Sequence, residues 1–250
     1  PRSRGLGDVY KRQRLHTKLP LQITHYSRKG CPMPPSAFGH ESSGCWAFSQ
    51  QALAAVLAEV RTGDLVLVHN YFRSHFGKGE DTRSMQLDQQ GRHIRRETAK
   101  LGHYQAALAS LAEALAAQQA SLLIVADVPR FLSLQVDRNL CVKQWFRPWL
   151  PPSCQQPLQQ SLASHREDTA PMARLLAGLE AAHPNVHVFD PAAVLCSDGV
   201  CRTHDSSGEL FYRDRDHLSE RGVGQLVEPF STWLRTRGLL TPGKTPGDKT

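Results

Sequence analysis

Three short apolar runs constrain the fold more than anything else in this chain: DLVLVHN (64–70), SLLIVADVP (121–129) and NVHVFDP (185–191). Each is dominated by Val, Leu, Ile or Phe, the pattern of a strand buried on both faces of a parallel sheet. Helical patterns separate them. LAAVLAEV (53–60) precedes the first and is ended by Gly63. Residues 97–119, which include most of QAALASLAEALAAQQA, form the clearest helix, and 166–182 read as another. Parallel neighbours need a crossover, and a helix supplies it, so the chain is expected to be α/β with helices on both faces of a parallel sheet. LQIT (21–24) is a further strand expectation. Residues 140–160, with Pro148, Pro151, Pro152 and Pro157, read as an irregular excursion. A last helix over 219–236 takes Ser219 as its N-cap and Glu220 in its first turn.

In such sheets ligands bind beyond the carboxyl ends of the strands. Functional residues are therefore expected just after 64–69, after 121–127 and in the loop after 185–190. No run of about 18 apolar residues occurs, so no membrane span is expected within the sequence. The formal net charge of +7 invites a nucleic-acid reading. Its distribution argues against one: residues 1–29 hold eight Lys/Arg and one acid, and the rest carries 22 of each sign. A phosphate-tracking surface needs positive charge clustered on the folded body.

Six cysteines fall into three local pairs, Cys31/Cys45, Cys141/Cys154 and Cys196/Cys201, with no CxxC. An even count in local pairs points to disulfides and an oxidising compartment, and the missing CxxC argues against zinc. No trio of His or carboxylates shows metal-ligand spacing in the sequence, and no cofactor or metal is expected. Residues 1–13, PRSRGLGDVYKRQ, have no periodicity and read as adapter-derived or disordered, and residues 238–250 read as a disordered tail. Residues 14–237 are expected to form one domain.

The stretch FYRDRDHLSERG (211–222) carries the chemistry. Asp214 stands three residues before His217, just ahead of a helix start. A carboxylate and an imidazole at that spacing can share a tight turn, the carboxylate accepting the Nδ1 proton and leaving Nε2 free to take a proton from a hydroxyl. Asp216, between them, is expected to face solvent or cap the helix.

YRDRDHLSERG resembles the last block of the SGNH (GDSL-like) hydrolase superfamily, in which a D-x-x-H pair supplies two members of a Ser-His-Asp triad. It is more similar still to the SGNH domain on the C-terminal side of membrane acyltransferases of the acyltransferase-3 type. RKGCPMPP (28–35), VLVHNYF (66–72) and DPAAVLCSDGVC (190–201) resemble further segments of those domains. The resemblance implies a three-layer α/β/α, flavodoxin-like parallel sheet, the SGNH hydrolase fold. It makes His217 the general base and then general acid, Asp214 its orienting partner, and Asn70 and Gly30 donors to an oxyanion. It also implies that His217 lies beside Asn70.

The family's G-D-S block with its nucleophilic serine is not found. Gly7-Asp8-Val9 has Val where Ser must be. The first strand and the serine are therefore expected upstream, and the chain by itself is expected to be inactive. The implied function is acylation, acetylation above all, of a cell-envelope polysaccharide by a domain on the periplasmic or extracellular side. Its implied partners are an upstream transmembrane acyltransferase domain in the same polypeptide, a glycan acceptor and an acyl donor derived from acetyl-CoA. A free-standing periplasmic carbohydrate esterase and a non-catalytic glycan-binding accessory domain are the alternatives. His69 and His75 are candidates for ligand contact, His183 and His187 look structural, and Trp145, Phe146 and Trp149 fit a packed excursion or a sugar surface.

Overall fold

The computed structural model describes residues 23–28, 31, 33–34, 45–72, 86–87, 93–94, 97–131, 148–149, 158–206 and 208–240. Gly30, His75, Trp145, Phe146, the pair Cys141/Cys154, residues 1–13 and the tail 241–250 lie outside them. The described residues group into two compact units. One is drawn from 25–127 and 168–190, the other from 23–24, 128–167 and 191–240.

The first unit holds the parallel sheet. Strand β1 (Leu65–His69) is followed by a two-residue antiparallel pair, β2 (Gln86–Leu87) and β3 (His93–Ile94), and later by β4 (Ser121–Val125). Beyond β4 come β5 (Gln159–Ser161) in the second unit and β6 (Val186–Phe189) in the first. β1, β4 and β6 pair in that order, all parallel. The register sets Val66 beside Leu122 beside Val186, and Val68 beside Ile124 beside Val188. These six share one face because side chains alternate along a strand.

That face meets helices α1 (Cys45–Glu59), α2 (Glu97–Ala116) and the later part of α3 (Leu162–Ala182) in one core. Tyr104, Leu108, Ala112 and Leu115 of α2 are wholly buried, and Leu176 and Leu179 of α3 nearly so. Burying each large aliphatic side chain contributes about 1.5–3 kcal/mol. The other face differs from expectation. Leu67 of β1 is 47% exposed, while Leu123 beside it is buried. β1 is an edge strand among the described residues, and the exposure of Leu67 leaves its apolar run uncovered on one face, where the sequence suggested cover on both.

Local chemistry fixes the connections. α2 ends in a Schellman motif: Gln119 adopts φ +56°, Ala120 N–H bonds Leu115 O and Gln119 N–H bonds Ala116 O. The Asn185 amide then donates to the carbonyls of Ala112 (2.8 Å) and Ala120 (3.2 Å), tying the start of β6 to the end of α2. The border between the two units falls at Glu167–Asp168 inside α3. Pro171, with no N–H for the carbonyl of Glu167, lies just beyond it.

In the second unit β5, β7 (Cys196–Ser197) and β8 (Val200–Arg202) form an antiparallel sheet in the order β5-β8-β7. β7 and β8 are joined by Asp198-Gly199, both at positive φ (+53° and +73°). Asp-Gly is the dipeptide that a two-residue hairpin favours. The short helix α4 (Ala192–Leu195) precedes the hairpin, and α5 (Glu220–Thr236) closes the described chain. Cys196 and Cys201 stand opposite each other and are joined as a disulfide, as are Cys31 and Cys45 in the first unit. Phe131, Leu195, Cys201, Tyr212 and Leu218 form this unit's core, with Val223 and Leu226 of α5 packed on it.

Two strand expectations change. Ile23 and Thr24 of LQIT are irregular, and Ile23 is exposed. The end of the proposed excursion, 159–160, belongs to the strand β5. Among the described residues no helix is long and apolar enough to cross a membrane.

Candidate active site

The Asp-His turn is held at both ends by the second unit's core. Tyr212 and Leu218 pair across its base as an antiparallel bridge, and Arg213 N–H bonds His217 O at 2.9 Å. Tyr212 is buried, its ring edge-on to Phe131 at 5.0 Å. Phe131 N–H bonds Arg215 O at 2.9 Å, fastening the turn to the chain that follows β4. On the other side, Ser219 N–H bonds Phe211 O, and its hydroxyl donates to Leu210 O and accepts from Gly222 N–H. Ser219 is thus the N-cap of α5, as its position before Glu220 indicates.

Within the turn, Asp214 Oδ1 accepts from the backbone N–H of His217 (2.8 Å) and, more weakly, of Asp216 (3.3 Å). Asp side chains commonly bond backbone two and three residues on, and here the turn is built on that habit. The same oxygen lies 2.8 Å from His217 Nδ1. A carboxylate can only accept from a ring N–H, so Nδ1 carries the proton. Nε2 makes no hydrogen bond among the described residues, and the His217 side chain is 51% exposed. This is the arrangement expected of an orienting acid and a proton-transfer base.

Asp216 does not follow its expectation. Its Oδ1 lies 2.9 Å from the same Nδ1, and its side chain is only 18% exposed. The hydrogen bond to Asp214, and after it the Asp216 carboxylate beside the ring, raise the His217 pKa to about 9, against the opposing effect of burial. Burial would raise the Asp214 carboxyl, but hydrogen bonds from the ring and backbone of His217 outweigh it and hold that carboxyl below the usual carboxylate range. At neutral pH the ring keeps its proton, the form that protonates a leaving group. The form that takes a proton from a hydroxyl gains ground as the pH approaches 9.

The sequence showed no metal-like trio, yet the turn makes one. Ligand atoms of Asp214, Asp216 and His217 lie within 4.8 Å of one another, the one such group among the described residues.

Asn70 lies in the other unit, one residue past β1, and is nearly buried. Its Oδ1 accepts from Met33 N–H at 3.0 Å, which fixes the amide's orientation because an N–H can only donate. Its Nδ2 then donates to Met33 O and, at 2.7 Å, to the hydroxyl of Tyr104, which in turn donates a hydrogen bond to Met33 O at 3.1 Å. Burial pushes the Tyr104 phenol far above its usual range, so the hydroxyl stays protonated. Both amide hydrogens are engaged as Asn70 is placed. A bond to an oxyanion requires that one of them leave Met33 or Tyr104.

Two further residues belong to this end of the sheet. Asp127, two residues past β4 and buried, accepts Phe72 N–H at 3.0 Å and so braces the chain leaving β1. The sequence reading looked for functional residues after 121–127, and Asp127 is the last residue of that run. Tyr104 gave no signal in the sequence, reading as one more core position of a helix. His69 Nδ1 lies 3.2 Å from Val125 O, and Trp149 is 66% exposed. The structure joins Asp214 to His217, puts Asn70 in the other unit, and leaves Gly30 outside the described residues.

The parallel sheet, its crossover helices and the Asp-x-x-His turn before the last helix define a domain of the SGNH class. The family profile of the SGNH domain (fused to AT3 domains) matches residues 17–232, and the chain belongs to that family. Among solved structures, the chain is similar to the periplasmic domain of a lipopolysaccharide acetyltransferase from Salmonella ser. Paratyphi A. The TM-score is 0.51 at 13% identity, over 82% of this chain and 69% of that one, a likeness of fold alone. No curated protein matches the sequence significantly.

Proposed function

We propose that this is the extracytoplasmic SGNH domain of an O-acyltransferase that acylates, in the first instance acetylates, a cell-envelope polysaccharide. The carrying observation is the 2.8 Å bond between His217 Nδ1 and Asp214 Oδ1, with Nε2 open. His217 takes the proton of a serine hydroxyl as its oxygen attacks the acyl carbonyl, and returns it to the departing donor group. The acyl-serine is then attacked by a sugar hydroxyl, whose proton passes to His217 and on to the serine oxygen as the ester bond breaks. In this reading Gly30 N–H and the Asn70 amide, once the latter gives up one present partner, receive the oxyanion.

Several features support the reading. The family's fusion to AT3 domains favours a transmembrane acyltransferase domain in the same polypeptide, supplying an acyl group derived from acetyl-CoA. The Cys31–Cys45 and Cys196–Cys201 disulfides favour an oxidising compartment. The 250 residues contain no G-D-S block, so the test is made on the full-length protein.

There, His217→Ala is expected to abolish transfer, and Asp214→Asn to slow it by about 10⁴-fold. Both variants should keep native circular dichroism. Acylated glycan at the wild-type level in His217→Ala removes this reading. Release of free acid in place of acylated glycan by the wild type points to an esterase.

A further inference from the structure

We infer that Asp216 is a positioning residue for the His217 ring, setting a second carboxylate beside the Nδ1 that Asp214 holds by a hydrogen bond. The role rests on the reading of His217 as the proton-transfer group. The geometry is what separates Asp216 from an ordinary surface acid. Its Oδ1 is 2.9 Å from Nδ1, against 2.8 Å for Asp214, and its side chain is the less exposed of the two, 18% against 23%.

The two acids are held differently. Asp214 Oδ1 takes two backbone N–H groups of its own turn besides the ring, so its place is fixed by the backbone. The ring is the one partner of the Asp216 carboxylate among the described residues. Asp216 can therefore swing off Nδ1 without disturbing the turn, whereas Asp214 cannot. When it swings away, the ring keeps its tautomer and direction from Asp214 but loses one of two neighbouring negative groups, and binds its proton less tightly. Asp214 thus sets where the ring points, and Asp216 where on the pH scale it changes from acid to base.

No other charge among the described residues competes for this role. Arg213 and Arg215 of the turn, Arg130 on the segment fastened to it, and Glu220 and Arg221 at the start of α5 add nothing to the shift of the ring. The rise of the His217 pKa to about 9 is assigned first to Asp214 and next to Asp216, in line with the distances.

The test is an NMR titration of the His217 ring in the 250-residue chain and its variants. Asp216→Asn is expected to lower the midpoint by about one pH unit, the size of shift that a neighbouring opposite charge produces. Asp216→Glu should recover at least half of that shift, which a general loosening of the turn would not allow. A midpoint in Asp216→Asn equal to wild type overturns the inference, and so does Asp216→Glu behaving as Asp216→Asn does.

In the full-length protein, the pH–rate profile of Asp216→Asn should move to lower pH with its plateau largely kept. A uniform loss of rate at every pH assigns Asp216 a structural role and overturns the inference. The titration is independent of acyl transfer. If transfer proves indifferent to His217 while the midpoint still moves, the proposed function fails and the coupling of Asp216 to the ring stands.

Discussion

The hydroxyl of Tyr104, on a helix, accepts the Asn70 amide hydrogen at 2.7 Å from the end of a strand and donates to Met33 O at 3.1 Å. One wholly buried side chain thus links α2, the end of β1 and the Cys31–Pro34 segment. An apolar position in the core has become the support of a candidate oxyanion donor.

Removing that hydroxyl tests the link. Tyr104→Phe leaves the Asn70 amide one partner short in a buried place, and an unsatisfied buried polar group costs about 1–3 kcal/mol. Unfolding by urea should show a loss of that size with an unchanged slope. A variant as stable as wild type would mean that the hydroxyl carries none of the clamp.

Stability should depend on pH through the Asp-His turn, with a definite sign. The folded His217 pKa is raised from 6.5 to about 9. Its contribution is therefore fully present below pH 6.5 and is lost as the pH rises through about 9. Asp214 is lowered from 3.8, so its contribution is present above 3.8 and is lost as the pH falls through its lowered value. His217→Gln should accordingly be less stable than wild type below pH 6.5 and nearly level with it above pH 9. Urea midpoints measured in the two ranges check this, and a gap that widens with rising pH contradicts it.

Gly222 is required by closeness and not by backbone angle. A Cβ there would meet Phe211 O at 2.1 Å and its carbonyl carbon at 2.9 Å, and backbone cannot swing aside as a side chain can. The same Phe211 O receives Ser219 N–H, so the clash falls on the bond that starts α5. Gly222→Ala should destabilise by about 1–3 kcal/mol, the usual cost of overpacking. Gly178→Ala, on a helix with nothing within 4 Å of the new atom, should instead gain about 0.5–1 kcal/mol. Thermal unfolding of both compares them, and equal effects would deny the close approach.

Much of the fold was legible. DLVLVHN, SLLIVADVP and NVHVFDP are β1, β4 and β6, and the helices between them stand within a few residues of where periodicity placed them, while the helix before β1 starts eight residues earlier than its apolar run suggested. The β7–β8 hairpin was missed although its Asp198-Gly199 turn is written in the sequence. β5 was missed with better reason. Gln159–Ser161 has no strand character of its own and is a strand because β8 pairs with it.

The division follows the range of the forces. The sequence by itself determined what acts over a few neighbours: the period of helix and strand, the Ser219 cap, and an Asp-x-x-His turn whose hydrogen bonds span two or three residues. Tertiary structure alone decided that Leu67 lies on an open face, that Asp216 turns to the ring, and that Asn70 is held by Met33, 37 positions away, and Tyr104, 34 away. Such contacts carry no local periodicity. They exist because packing brings buried donors and acceptors within reach, and a buried polar group is stable only where it finds a partner.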